Sequence, residues 1–214
     1  PGGGGRLALD IFARACVRTM YQSPNTNDWQ VEDERYGRMC EGDDVEVVVD
    51  ASPSAAGGYL REDDRITEYF EDGLASDDED ILGAYAGGSE GHQIWEALAV
   101  LVALRLWASK WRTRRVRLSV TSDDASALVM IVKMRASGQD AALIARERAL
   151  DIGDALSEPQ VCSHAPGVAN VMVNSLRCLH EPGTSYAVPH EPPVIAPTIV
   201  PVRNCKYYLT LATK

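Results

Sequence analysis

Three features of the 214-residue sequence predict an α/β fold, a mixed five-stranded sheet with helices on both faces. Val45, Val47, Val48 and Val49 form a tight β-branched run, the mark of a buried strand. From about Ser89 to Trp111, Ile94, Trp95, Leu98, Leu101, Val102 and Leu106 cover one broad helical face. Val116, Leu118 and Val120 then alternate with Arg117 and Ser119, as in a strand with one buried face. Strands separated by helices join a sheet in parallel, through helical crossovers.

In chain order, residues 1–44 read as a leader or the end of an upstream domain. Glycines follow Pro1, a helical pattern runs from about Leu7 to Met20, and a polar stretch holds Ser23, Pro24 and Asn25. A piece cut from a longer polypeptide is expected to open this way. The predicted domain spans 45–180. Its first strand is followed by Gly57–Leu60, the charged turn Arg61–Asp64 and the strand Arg65–Phe70, giving three antiparallel strands. The acidic run Asp77–Asp80 reads as a solvated loop or helix start. After the long helix and the strand at 116–120, a helix runs from about Asp123 to Met134 and Gly138 breaks it. Another spans about Asp140 to Leu156, Pro159–Ser163 forms a short strand, and a last helix from about Val168 to Leu179 stops at Pro182 and Gly183. Prolines among residues 189–201 predict an extended, unpacked tail over 181–214.

Composition narrows the function. With 45% hydrophobic and 24% charged residues, wholesale disorder is excluded. The longest apolar stretch, Ala97–Leu104, is too short to cross a bilayer, so no membrane association is expected. No secretory pattern opens the chain, which points to the cytoplasm or nucleus. The five cysteines form no CxxC pair and have no histidine at ligand spacing, which argues against zinc and fits a reducing compartment. The net charge of −10 is uneven: residues 1–90 carry 21 acidic and 7 basic side chains, residues 91–214 carry 10 and 14. The acidic half repels phosphate and argues against unspecific coating of nucleic acid, while the second half can still present a basic surface.

Three carboxylates fall at telling places. Asp50 lies at the end of the first predicted strand, Glu96 on the long helix, and Asp123 where the fourth strand ends. Side chains at strand ends collect in one crevice of an α/β sheet. Carboxylates gathered there repel one another unless cations neutralise them. Mg²⁺ suits such a set, being a hard ion that takes oxygen ligands and keeps waters for a phosphate substrate. Two ions roughly 3.5–4 Å apart activate water and stabilise the leaving oxygen of a phosphodiester. Each residue also has a plainer role open to it. Asp50 suits a turn before Ser52 and Pro53, Glu96 a solvated helix face, and Asp123 a helix N-cap. Spacing alone favours the cap, which Ser122 or Asp124 would serve equally.

The order of motifs resembles the ribonuclease H domain of retrotransposon reverse transcriptases. Val45–Val49 leading to Asp50-Ala51-Ser52 and Gly57-Gly58-Tyr59-Leu60 is similar to that family's opening. Glu96-Ala97-Leu98-Ala99 is similar to its second motif, and Leu118 to Asp123 to its third. The most specific segment is His164-Ala165-Pro166-Gly167-Val168-Ala169-Asn170, which resembles the family's His-x-Pro-Gly-x-x-Asn. Trp95 to Leu98, Ala145-Arg146-Glu147 and Leu179 to Gly183 resemble copies spread through dinoflagellate-type genomes.

The resemblance implies a ribonuclease H-like fold in a fragment of a retroelement polyprotein, with a reverse transcriptase domain upstream. It implies cleavage of the RNA strand of an RNA–DNA hybrid, with two Mg²⁺ (or Mn²⁺) ions held by Asp50, Glu96, Asp123 and Asn174. Here the chain departs from the family, because Asn174 stands where a fourth carboxylate is usual. An amide oxygen ligates Mg²⁺ without charge and cannot act as a base. A catalytically decayed nucleic-acid-binding or structural remnant is therefore the alternative. Hybrid contacts are assigned to Ser52, Lys110, Arg112, Arg114 and Asn170, with Lys133, Arg135, Arg146 and Arg148 as substitutes. For the basic stretch at 110–117, a solvated helix end is an equally good reading. His164 suits a structural loop better than a proton shuttle, and Trp95, Trp107 and Trp111 suit packing better than base stacking.

Overall fold

The computed structural model describes residues 19–22, 29–32, 43–85, 91–112, 116–134, 139–153, 161–165, 170–181, 183, 195 and 197–212. The strands are β1 (Thr19–Gln22), β2 (Trp29–Glu32), β3 (Asp43–Ala51), β4 (Ala55–Glu62), β5 (Arg65–Gly73), β6 (Val116–Ser122) and β7 (Val161–His164). The helices are α1 (Ser76–Leu82), α2 (His92–Leu106), α3 (Ala108–Arg112), α4 (Ala125–Lys133), α5 (Gln139–Gly153), α6 (Val171–Cys178) and the short α7 (Leu209–Ala212). Among the described residues no helix is long and apolar enough to cross a membrane.

The expected five strands form a contiguous mixed set in the order β5-β4-β3-β6-β7. β3, β4 and β5 pair antiparallel, while β6 and β7 join in parallel. Beyond β7 the sheet continues through β2 and β1, an antiparallel pair from the segment read as a leader. The helix predicted over Leu7–Met20 falls outside the described residues except for its last two positions, which lie in β1. An apolar period over so few residues does not distinguish a helix from a strand that finds a partner.

Alternation along β3 assigns its two faces. Val45, Val47, Val49 and Ala51 join the larger core with α2, α4 and α5. Val48 faces the other way, packing with Tyr59, Tyr69 and the α6 residues Val173 and Leu176. Helices thus cover both faces, as expected. α2 is apolar almost all round, buried from Trp95 to Leu104, because it sits between the sheet and other helices. Trp95, Trp107 and Trp111 are all buried in this core, as the sequence suggests.

The acidic run at 77–80 lies in the first turns of α1, the helix start that the sequence allows, though Asp78 within it is fully buried rather than solvated. One expectation is corrected. The tail, expected to be unpacked, is held to the domain from Pro197 onward. Thr198 donates its backbone N–H to the Tyr69 carbonyl at 2.7 Å, beside a bridge between Tyr69 and Pro197. Arg203 reaches Asp78 through Nη2 at 2.7 Å and also pairs with Asp72. Tyr208 is buried, and its hydroxyl donates to Asp78 at 3.2 Å. Arg105 of α2 binds Glu147, Asp151 and the Tyr207 carbonyl, fixing the end of the segment against α5. Proline spacing sets the backbone of this segment, whereas its docking depends on a few charged partners distant in sequence.

Candidate metal centre

Strand register brings the first two carboxylates together. Val48 on β3 pairs with Thr121 on β6 in parallel register. Asp50 and Asp123, each two residues further on, therefore arrive at the same end of the sheet. Glu96 comes from the first turns of α2. Its Oε1 accepts the backbone N–H of Ala51 at 2.9 Å, and its Oε2 accepts the Ser122 hydroxyl at 3.3 Å. One side chain thus ties the ends of β3 and β6 together. The outcome is a trio in which one oxygen each of Asp50, Glu96 and Asp123 lies within 4.8 Å of the others.

Asp50 is 2% exposed and Glu96 is wholly buried. Burial pushes the Glu96 carboxyl well above its ordinary range, and the neighbouring Asp50 and Asp123 raise it further. Asp50 is also raised, first by burial and then by Asp123, although Arg177 pulls the other way. That cation is paired directly with Asp50, its Nε donating to Oδ2 at 2.7 Å. Arg177 also donates from Nη1 to Glu181 at 3.1 Å.

Asp123 is not the helix cap that spacing favoured. Asp124 caps α4, its Oδ1 accepting the Ser126 and Ala127 N–H groups at 2.7 and 2.9 Å. With that role filled, Asp123 turns to the other carboxylates, and its buried Oδ1 has no hydrogen-bond partner among the described residues. A buried carboxylate oxygen without a donor is costly unless something electropositive occupies the space before it. The all-oxygen donor set matches a hard divalent cation. His92, one turn before Glu96 on α2, has Nε2 3.9 Å from Glu96 Oε1.

The other expected site residues fall differently. Asn174 lies on α6, three positions before Arg177 and so on the same helical face. Ser52 is 1% exposed, and its hydroxyl accepts the Ser54 and Ala55 N–H groups at 3.2 and 3.1 Å. It closes a local turn, a structural role beside the hybrid contact expected of it. Asn170 is also buried, at the N-cap of α6, with Nδ2 unpartnered among the described residues. Lys110 Nζ is engaged by Glu68 at 2.7 Å and Glu62 at 3.6 Å.

That basic stretch lies away from the trio. Glu62 pairs with Val45 at the start of β3, five residues or about 17 Å from Asp50 at the usual rise of a strand. Arg112 is exposed at this far end, and Arg114 lies outside the described residues. Among the substitutes, Lys133 and Arg146 are exposed and Arg148 is buried, while Arg135 lies outside the described residues. His164 contacts the site's frame, with Nε2 2.8 Å from the Asp123 carbonyl oxygen.

Sequence reasoning missed Arg177 and Ser122. For Arg177 the available signal was its helical spacing from Asn174; for Ser122, only its place at the end of β6. No protein-family model, curated protein or solved structure gives a significant match to this chain.

Proposed function

We propose that this chain is a divalent-metal-dependent phosphodiester hydrolase of the ribonuclease H kind, cutting the RNA strand of RNA–DNA hybrids. The observation that carries the reading is the trio Asp50, Glu96 and Asp123, brought from three separate elements to within 4.8 Å. Asp50 and Glu96, raised by burial and by the neighbouring carboxylates, are primed to exchange protons for a cation. The unpartnered Asp123 Oδ1 supplies a further reason for a cation there.

Asp50, Glu96 and Asp123 would hold Mg²⁺ or Mn²⁺, with Asn174 contributing at most a neutral oxygen. When bound, the metal lowers the pKa of a coordinated water and stabilises charge on the phosphate. Glu96, fixed by Ala51 N–H and Ser122, keeps the two strand-end carboxylates at a constant separation. The motif resemblance supports a hybrid as substrate, since its 2′-hydroxyls distinguish the strand to be cut. Lys133 and Arg146, both exposed, are candidates for phosphate contacts among the described residues.

A second reading is favoured by one specific observation. Arg177 already neutralises Asp50 at 2.7 Å, while Asn174 replaces the family's carboxylate. A remnant that binds nucleic acid without cutting it would have those features. Incubating the protein with a hybrid labelled on each strand in turn, with Mg²⁺, with Mn²⁺ and with chelator, separates the two. The hydrolase reading expects metal-dependent cuts in the RNA strand only, leaving 5′-phosphates. Binding without cleavage under both metals supports the remnant.

A further inference from the structure

This chain sets an arginine against the first of its three clustered carboxylates. Gly57 pairs with Asp50 across β3 and β4. A Cβ on Gly57 would come within 2.8 Å of Leu176 Cβ and 3.0 Å of the Arg177 backbone nitrogen. The missing side chain lets α6 lie directly on the strand, and that close approach delivers the Arg177 guanidinium to Asp50. The pair is enclosed: Asp50 is 3% and Arg177 24% exposed in their side chains. Asn174, on the same face of α6, brings no negative charge to draw a second cation or to compete for the guanidinium.

We infer that Arg177 is a resident counter-cation standing where a second divalent ion would bind, so that the centre loads with a single Mg²⁺ or Mn²⁺ ion. This rests on the reading of the trio as a divalent site. Asp50 Oδ2 is occupied by Arg177, leaving Asp50 Oδ1, Glu96 and the unpartnered Asp123 Oδ1 for one ion. A second dication beside a fixed guanidinium meets repulsion that one neutral amide does not offset. Arg177 is here a positioning and charge-balancing group, acting through Asp50.

Counting bound Mn²⁺ by the loss of free-ion paramagnetic resonance, with no nucleic acid present, tests the inference. The wild-type chain is expected to bind one ion. Arg177→Gln is expected to take up a second ion, or to bind the first at least about tenfold more tightly, as removal of a neighbouring positive charge requires. Arg177→Lys keeps the charge and is expected to stay at one ion. Asn174→Asp alone is also expected to stay at one, whereas Asn174→Asp with Arg177→Gln reaches two. Circular dichroism on each variant confirms that it is folded, and the Lys and Asp variants remain informative if the Gln variant is not. Two ions in the wild type, two ions in Asn174→Asp alone, or unchanged binding in Arg177→Gln would overturn the inference. A wild type that holds two ions and cuts the hybrid removes this inference and leaves the hydrolase reading. One ion without cleavage does the reverse.

Discussion

Gly57 faces Asp50 across the β3–β4 ladder, and the Arg177 backbone nitrogen sits 3.0 Å from where a Cβ on Gly57 would stand. A single absent methyl group therefore links the strand that carries the first carboxylate to the helix that supplies its cation. Gly57→Ala is expected to force α6 away from β4, because its nearest obstacles are Leu176 Cβ and backbone. Overpacking of this kind costs about 1–3 kcal/mol. Urea unfolding gives the loss directly, and Mn²⁺ binding measured on the same variant should strengthen as Arg177 withdraws.

The raised carboxyl groups make stability depend on pH. Glu96 and Asp50 keep their protons to higher pH in the folded chain than in the unfolded one. Folding therefore takes up protons in the window above the ordinary carboxylate value of about 4. Without metal, the contribution is complete below that window and is lost as pH rises through the raised values. Thermal unfolding in chelator is expected to show a midpoint that falls from pH 5 toward neutrality. Added Mg²⁺ should recover most of the loss at pH 7.5 and little at pH 5, since a ligand that binds only the folded state stabilises it by mass action.

Asp123 and Asp124 are adjacent in sequence but have different roles. Asp124→Ala removes the cap of α4, and the expected cost is about 1 kcal/mol, with Mn²⁺ binding kept. Asp123→Asn removes one of three repelling charges. It is expected to raise the metal-free melting temperature at pH 7.5 while abolishing Mn²⁺ binding. Equal effects from the two substitutions would remove the distinction between cap and ligand.

The C-terminal segment should be indispensable to stability. Arg203 is the main partner of Asp78, a carboxylate with no exposure. Arg203→Met leaves that charge buried without a counter-cation among the described residues, held by hydrogen bonds from the Tyr208 hydroxyl and the Ala75 backbone N–H. The expected loss is about 3–5 kcal/mol. A double substitution, Arg203→Met with Asp78→Leu, should recover much of it, because exchanging both partners for apolar groups removes the penalty. Failure of the double variant to recover any stability, read by urea unfolding, would show that the segment is held by other contacts.

What could be read from the sequence follows the range of the interactions. Val45–Val49 gave away β3 because a parallel-paired central strand needs apolar residues on both faces. Asp50 and Asp123 were legible as partners because neighbouring parallel strands end together. Glu96 stood out as a charge inside an otherwise apolar helix. The choice between Asp123 and Asp124 as cap was not legible, since both have suitable side chains one residue apart. Nor was Arg177: its approach to Asp50 spans 127 positions and depends on Gly57 having no side chain. Arg203 and Asp78 are 125 positions apart, and the prolines around Arg203 set only the local backbone. Lys110 looked like a phosphate contact because its carboxylate partners, Glu62 and Glu68, lie on strands far back in the chain.

The most direct test of the central claim is hybrid cleavage by wild type and Glu96→Gln side by side in Mn²⁺. Glu96 bridges the ends of β3 and β6, and the amide keeps its shape and one accepting oxygen while removing its charge. The wild type is expected to cut the RNA strand and the variant to lose at least about a hundredfold in rate, as loss of a ligand group in such a site would produce. Cleavage at an undiminished rate in Glu96→Gln would contradict it.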